Sequence, residues 1–127
     1  MKFASVRVVT EDFERLVGFY ERLTGVQATH RAPGFAEVRL DGCTLAISSR
    51  AIIDQVNGGA IVPNANRSLM LEFQTDDVDA LRALAEEIGE IVQEPTTMPW
   101  GNRSMLVRDP DGAIVNIFSQ DARLTPG

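Results

Sequence analysis

Arg7 and Glu72 are the charged residues whose placement most invites chemistry. They stand 65 positions apart, as do Asp12 and Asp77, and Leu16 and Leu81. The chain says the same thing twice. Residues 5–25 read SVRVVTEDFERLVGFYERLTG, and residues 70–89 read MLEFQTDDVDALRALAEEIG. Each runs from a strand-like stretch through an acidic turn into an amphipathic helix closed by glycine. Arg7 and Glu72 thus hold corresponding places in two half-domains. A cleft between such copies is a place for a ligand, and the two charges would face each other across its floor. Three readings stand open: an architectural ion pair, recognition of a ligand, or Glu72 as a general base. In the last, Arg7 or Arg103 would stabilise an anionic intermediate. The architectural pair is favoured, because buried ion pairs are more often structural than chemical.

Other reactive residue types carry less. Asp76, Asp77 and Asp79 have the look of a metal cluster, but they stand at a helix start, where the helix dipole favours acids. Cys43 has no sequence-local base or cation to activate it and reads as inert. His30 reads equally as a surface, hydrogen-bonded or acid–base residue. Trp100, between Pro99 and Gly101, suits either an aromatic wall at a cleft mouth or a plug beneath its loop. Arg103 either meets a ligand anion or holds that loop. Phe19 and Tyr20 fit the helical stripe, and Asp111 and Gly112 fit turn chemistry. The sequence has no glycine-rich phosphate loop, nucleophile elbow, CxxC or HExxH.

The positioning elements follow from periodicity. A first strand is expected over 3–9, then a helix from Asp12 with Phe13, Leu16, Val17, Tyr20 and Leu23 buried and Gly25 as its stop. A short strand at Val26–His30 and a turn through Arg31–Gly34 come next. A hairpin over Phe35–Leu40 and Thr44–Ser48 closes through Asp41-Gly42. Residues 51–66 read as a linker with one helical turn near Ile52–Val56. The second half repeats the order. A strand at Ser68–Gln74 leads to a helix from near Asp76, with Val78, Leu81, Leu84, Ala85 and Ile88 on its buried stripe. Strands are expected at Glu90–Glu94, at Arg103–Arg108 and after Asp109-Pro110-Asp111-Gly112. The tail DARLTPG is expected to fray.

At 127 residues the chain is one ordinary domain, with modules about 1–50 and 67–120. Its 44% apolar and 24% charged content is globular rather than disordered. No apolar run approaches the roughly 18 residues of a membrane span. MKFASVRVVTED reaches acidic residues quickly, which argues against a signal peptide. With one cysteine there is no intramolecular disulfide, which fits the cytoplasm. The net charge of −6 argues against nucleic acid and anionic membranes as partners. It permits attraction of a cationic small molecule, and solubility explains it equally well.

Two βαβββ modules, Asp12 with Phe19-Tyr20, then Pro99-Trp100-Gly101, Arg103 and Asp109-Pro110-Asp111-Gly112, resemble the vicinal oxygen chelate superfamily. That is the glyoxalase, bleomycin-resistance and extradiol-dioxygenase group. The resemblance implies an α+β fold of two tandem βαβββ modules forming a U-shaped, eight-stranded cleft. It also implies a homodimer. Metalloenzyme members place a ligand, usually His or Glu, on the first and last strand of each module. Counting from the motifs puts those positions at Ser5, fourteen before Phe19, and at Met70, 65 further on. The last-strand positions are Ala46 and Asn116, each four residues after a turn glycine. None is His, Asp, Glu or Cys. A divalent cation needs several deprotonated ligands to repay its dehydration. No metal and no cofactor is therefore expected, and metal-dependent glyoxalase or dioxygenase activity falls with the metal.

Strand alternation fills the implied cleft with Arg7, Met70, Glu72, Ile114, Asn116 and Phe118, with Trp100 and Arg103 on the adjoining loop. Such a surface suits a small organic ligand. The leading expectation is metal-independent small-molecule binding, as in sequestration of a drug or metabolite. The alternatives are a metal-independent isomerase or lyase using Glu72, and an interaction module with a filled cleft.

Overall fold

A computed structural model describes residues 1–120; the tail expected to fray, 121–127, lies outside the described residues. The chain divides into two compact units, Met1–Asn66 and Arg67–Gly127.

The first unit runs β1 Ser5–Thr10, α1 Phe13–Thr24, β2 Thr29–Ala32, β3 Phe35–Arg39, β4 Thr44–Ser49 and α2 Arg50–Asn57. The strands form one sheet in the order β1-β4-β3-β2, with β1 parallel to β4 and the others antiparallel. Helix α1 starts where Asp12 accepts from the Arg15 amide at 3.4 Å, and it ends at Gly25 with φ +73°. Its Leu16, Val17, Phe19, Tyr20 and Leu23 are buried, and it packs on β3 and β4. Removing each such side chain from water contributes about 1.5–3 kcal/mol.

The second unit repeats the plan. It runs β5 Met70–Gln74, a 3-10 turn Asp79–Leu81, α3 Arg82–Ile88, β6 Glu90–Thr97, β7 Arg103–Arg108 and β8 Ile114–Ser119. Its sheet order is β5-β8-β7-β6, and β5 lies parallel to β8. Asp77 accepts from the Ala80 amide at 3.2 Å. The two caps therefore match atom for atom at the 65-residue offset. The expected α+β fold of two tandem βαβββ modules is present.

Strand β2 lies at Thr29–Ala32, later than the expected Val26–His30 and running into the expected turn, and three further elements differ from expectation. Residues 50–57 are a full helix rather than linker. Ser49 caps it by accepting from the Ile52 amide at 3.3 Å, and its buried Ile53 anchors it; the helix packs on β4 and β1. The second module's helix begins as a 3-10 turn, a common form of a first helical turn. Strand β6 runs through Pro95 instead of stopping before it. Strand β6 is an edge strand whose register shifts between Gln93 and Thr96, so the missing N–H interrupts no continuous ladder. Among the described residues no helix is long and apolar enough to cross a membrane.

Candidate functional site

The ladders decide which side chains share a face. In the second unit Glu72 of β5 lies beside Asn116 of β8, and Asn116 lies opposite Leu106 of β7. Met70 and Ile114 form the next row on one side, with Gln74 and Phe118 on the other. Ser104 lies opposite Phe118 and joins the same face. The other face carries Val115, Ile117, Met105 and Val107, all buried. Expected site residues Met70, Glu72, Ile114, Asn116 and Phe118 are therefore brought together.

Side-chain chemistry ties this face into a chain. The Ser104 hydroxyl donates to Asn116 Oδ1 at 2.5 Å. Asn116 Nδ2 in turn donates to Glu72 Oε2 at 2.8 Å. The direction is fixed at one end. A carboxylate only accepts, so the amide must turn its NH2 toward Glu72 and its oxygen toward Ser104. Ser104 is buried while Glu72 is exposed, so the chain runs from the interior to the surface. Ser104 was not among the residues the sequence singled out. Its signal was alternation along Arg103–Arg108, which places it on the Asn116 side.

In the first unit Arg7 of β1 sits beside Ala46, and Ala46 lies opposite Glu37 of β3. The Arg7 guanidinium lies over the Phe35 ring, 4.4 Å from its centroid. That contact is a cation–π attraction and leaves the guanidinium N–H edges open to an anion. Glu37, by contrast, is engaged by Arg31 at 3.2 Å and Arg39 at 3.1 Å. Arg7 and Glu72 thus each find a partner inside their own unit.

The remaining expected residues separate by role. Arg103 alternates onto the opposite side of β7 from Ser104 and forms a two-point pair with Asp79 at 2.8 and 3.0 Å. It also donates to Thr97 Oγ1 at 3.2 Å. It braces the β6–β7 hairpin against the helix start, in line with the loop-holding role that the sequence offered beside ligand contact. Trp100 caps the same hairpin, where Met98 N donates to Asn102 O at 2.6 Å and Gly101 N to Met98 O at 2.8 Å. The indole is 65% exposed, so it is no plug beneath the loop. His30 is exposed on the edge strand β2, edge-to-face with Phe13. It borders an open groove of about 490 Å³ with Phe13, Glu14, Val17, Glu21, Pro33 and Gly34. The Cys43 thiol lies 3.7 Å from the Thr44 carbonyl.

The brace carries a pH signature. The Arg103 hydrogen bond holds the Asp79 carboxyl below its ordinary 3.8. A depressed carboxyl contributes stability above its unfolded pKa and loses it as pH falls through the lower folded value. Asp79→Asn is therefore expected to lower the urea midpoint slightly at pH 7. The difference from the parent should shrink as pH falls through the lowered folded pKa of Asp79. A gap that stays constant from pH 7 to pH 2 would contradict the brace.

The four positions where metalloenzymes of the resembled superfamily keep ligands offer poor donors. Ser5 supplies a hydroxyl, Ala46 a buried methyl, and Met70 a thioether. The Asn116 amide is already engaged at both ends. Among the described residues no group of three or more His, Cys, Asp or Glu could hold a metal ion. These residues do not fit a divalent cation, which requires several hard or deprotonated donors.

Comparison with known proteins agrees with the fold. A glyoxalase/bleomycin resistance protein/dioxygenase protein from Nocardioides is 25% identical, with TM-score 0.77 over 100% of this chain and 88% of that one. A glyoxalase-related enzyme from Fulvimarina pelagi is 23% identical, with TM-score 0.80 over 94% of this chain and 88% of that one. TioX from Micromonospora sp. ML1 is 23% identical, with TM-score 0.68 over 94% and 98%. No curated protein matches significantly. The family model for the glyoxalase/bleomycin resistance protein/dioxygenase superfamily matches residues 2–117, and the chain belongs to that superfamily.

Proposed function

We propose that the chain binds a small organic molecule without the help of a protein-bound metal, sequestering a drug or metabolite. One observation carries this reading: the Ser104–Asn116–Glu72 chain ends in an exposed carboxylate among Met70, Ile114 and Phe118. A few fixed polar groups on a largely apolar surface are what small-molecule sites use for orientation. Trp100 of the same unit offers an exposed aromatic surface. The homodimer and cytoplasmic setting expected from the sequence belong to the same proposal. Light scattering and cell fractionation test them.

Isothermal titration against a panel of cationic and aromatic natural products should find a stoichiometric ligand. Glu72→Gln should weaken it about tenfold, the loss expected for one charge-assisted hydrogen bond. Silence across a broad panel would sink the proposal. Elemental analysis of protein purified without a metal-affinity step tests the other half. One divalent ion per chain would overturn metal independence.

The same carboxylate favours a second reading, a metal-independent isomerase or lyase with Glu72 as general base. Given a substrate, Glu72→Gln should then abolish turnover and leave the fold intact. A variant that keeps its rate rules Glu72 out as the base.

A further inference from the structure

We infer that the Glu72–Asn116 pair reads a donor–acceptor edge, so that the ligand presents a carboxamide or lactam, and that Ser104 is the positioning residue for this recognition. The inference deepens the ligand-binding reading and rests on it for its location. Asn116 Nδ2 carries two hydrogens, and one is given to Glu72 Oε2. Glu72 likewise has a second oxygen. Among the described residues neither of these remaining groups has a hydrogen-bond partner. A donor and an acceptor therefore stand side by side on adjacent strands, at the register pair Glu72 and Asn116.

A simple organic cation answers only half of this edge. It would pair with Glu72, but an exposed ion pair contributes little. It would also cover the second Asn116 N–H without giving it an acceptor, and a covered, unpaired donor is costly. A planar amide offers its N–H to Glu72 and its carbonyl to Asn116 at once. An attached ring would lie along Phe118 on one side or Ile114 and Met70 on the other, residues of the neighbouring rows.

The carboxylate gives the edge its direction, and Ser104 holds the far end of the amide in place. Its hydroxyl donates to Asn116 Oδ1 and holds the amide against a flip that would turn oxygen toward the carboxylate. Without that donation the amide is held at the Glu72 end alone, and its second N–H is presented beside the carboxylate less rigidly.

The test is a 15N NMR titration of the full chain with benzamide, benzylammonium and benzoate. Benzamide should move the Asn116 side-chain NH2 signals and the Glu72 and Phe118 amides. Benzylammonium should move them far less, and benzoate not at all. Ser104→Ala should weaken benzamide about fivefold, the worth of one hydrogen bond, and shift the Asn116 side-chain NH2 signals in the free protein. Ser104→Thr restores the hydroxyl and should recover most of the affinity. A benzylammonium response equal to that of benzamide would overturn the inference, and so would benzamide shifts that miss these residues. So would a Ser104→Ala variant that is folded by its spectrum and binds unchanged. A silent natural-product panel with a positive benzamide titration would remove the sequestering role and leave the edge standing. The reverse result would remove the edge alone.

Discussion

Tyr20→Ala is expected to remove about 3–5 kcal/mol from the unfolding free energy, read as a lower urea midpoint at unchanged slope. Tyr20 is the largest fully buried side chain, at 0% exposure. Its ring stands edge-to-face against Phe19, with centroids 4.9 Å apart. Truncation loses the transfer energy of the ring and leaves a cavity that a two-layer unit cannot fill by collapse. Domains of this size are stable by about 5–15 kcal/mol, so the loss is a large share of the total. The repeat supplies a control. The residue 65 positions on is Ala85, which is also at 0% exposure. One unit thus fills this place with an aromatic ring and the other with a methyl group. Ala85→Leu should destabilise by overpacking, about 1–3 kcal/mol, although it adds apolar bulk. If both substitutions cost less than 1 kcal/mol, neither position is the core contact its burial implies.

The features legible in the sequence were those set by local chemistry. Helix α1 followed from its stripe, the Asp12 cap and Gly25. The hairpin between β3 and β4 followed from Asp41-Gly42, where Gly42 adopts φ +87°. Helix α2 had its signals too. Ser49 precedes it, Ile52, Ile53 and Val56 recur at helical spacing, and Gly58 ends it at φ +61°. The glycine- and asparagine-rich residues after it masked them. The face shared by Met70, Glu72, Asn116 and Phe118 was readable from alternation and the repeat. The bonds that order it were not. Glu72 and Asn116 lie 44 positions apart in the chain, and Asn116 and Ser104 lie 12 apart. Both bonds depend on strand register, which no single strand's pattern specifies. What Arg103 holds was illegible for a related reason. Its neighbour Asp79 comes from the helix start, and only the packed unit brings them together.

Asp109→Ala should cost about 2–4 kcal/mol and loosen the candidate site from a distance. Asp109 is 7% exposed, and its Oδ1 accepts from the amides of Asp111 at 2.9 Å and Ala113 at 3.0 Å. Its backbone N–H also donates to the Ala113 carbonyl at 2.9 Å. The sequence suggested turn chemistry at Asp111 and Gly112. The side chain that holds the turn is Asp109, and Gly112 supplies the positive φ of +86°. Hydrogen bonds to a carboxylate contribute about 1.5–3 kcal/mol each, and alanine removes the side-chain acceptor that two amides of this half-buried turn share. The first unit's equivalent turn has Leu40 where this one has Asp109, so its hairpin lacks this clamp. The difference matters because β8 leaves the turn at Ile114 and must arrive in register two residues later. A one-residue slip would send Asn116 to the helix side and away from Glu72. In the variant, amide exchange of Ile114, Val115 and Asn116 should accelerate ahead of that of Leu45 and Ile47 in the first unit. The Asn116 NH2 signals should broaden in step. Uniform acceleration across both units would mean that the turn stabilises the whole chain without specifically holding the edge formed by Asn116 and Glu72.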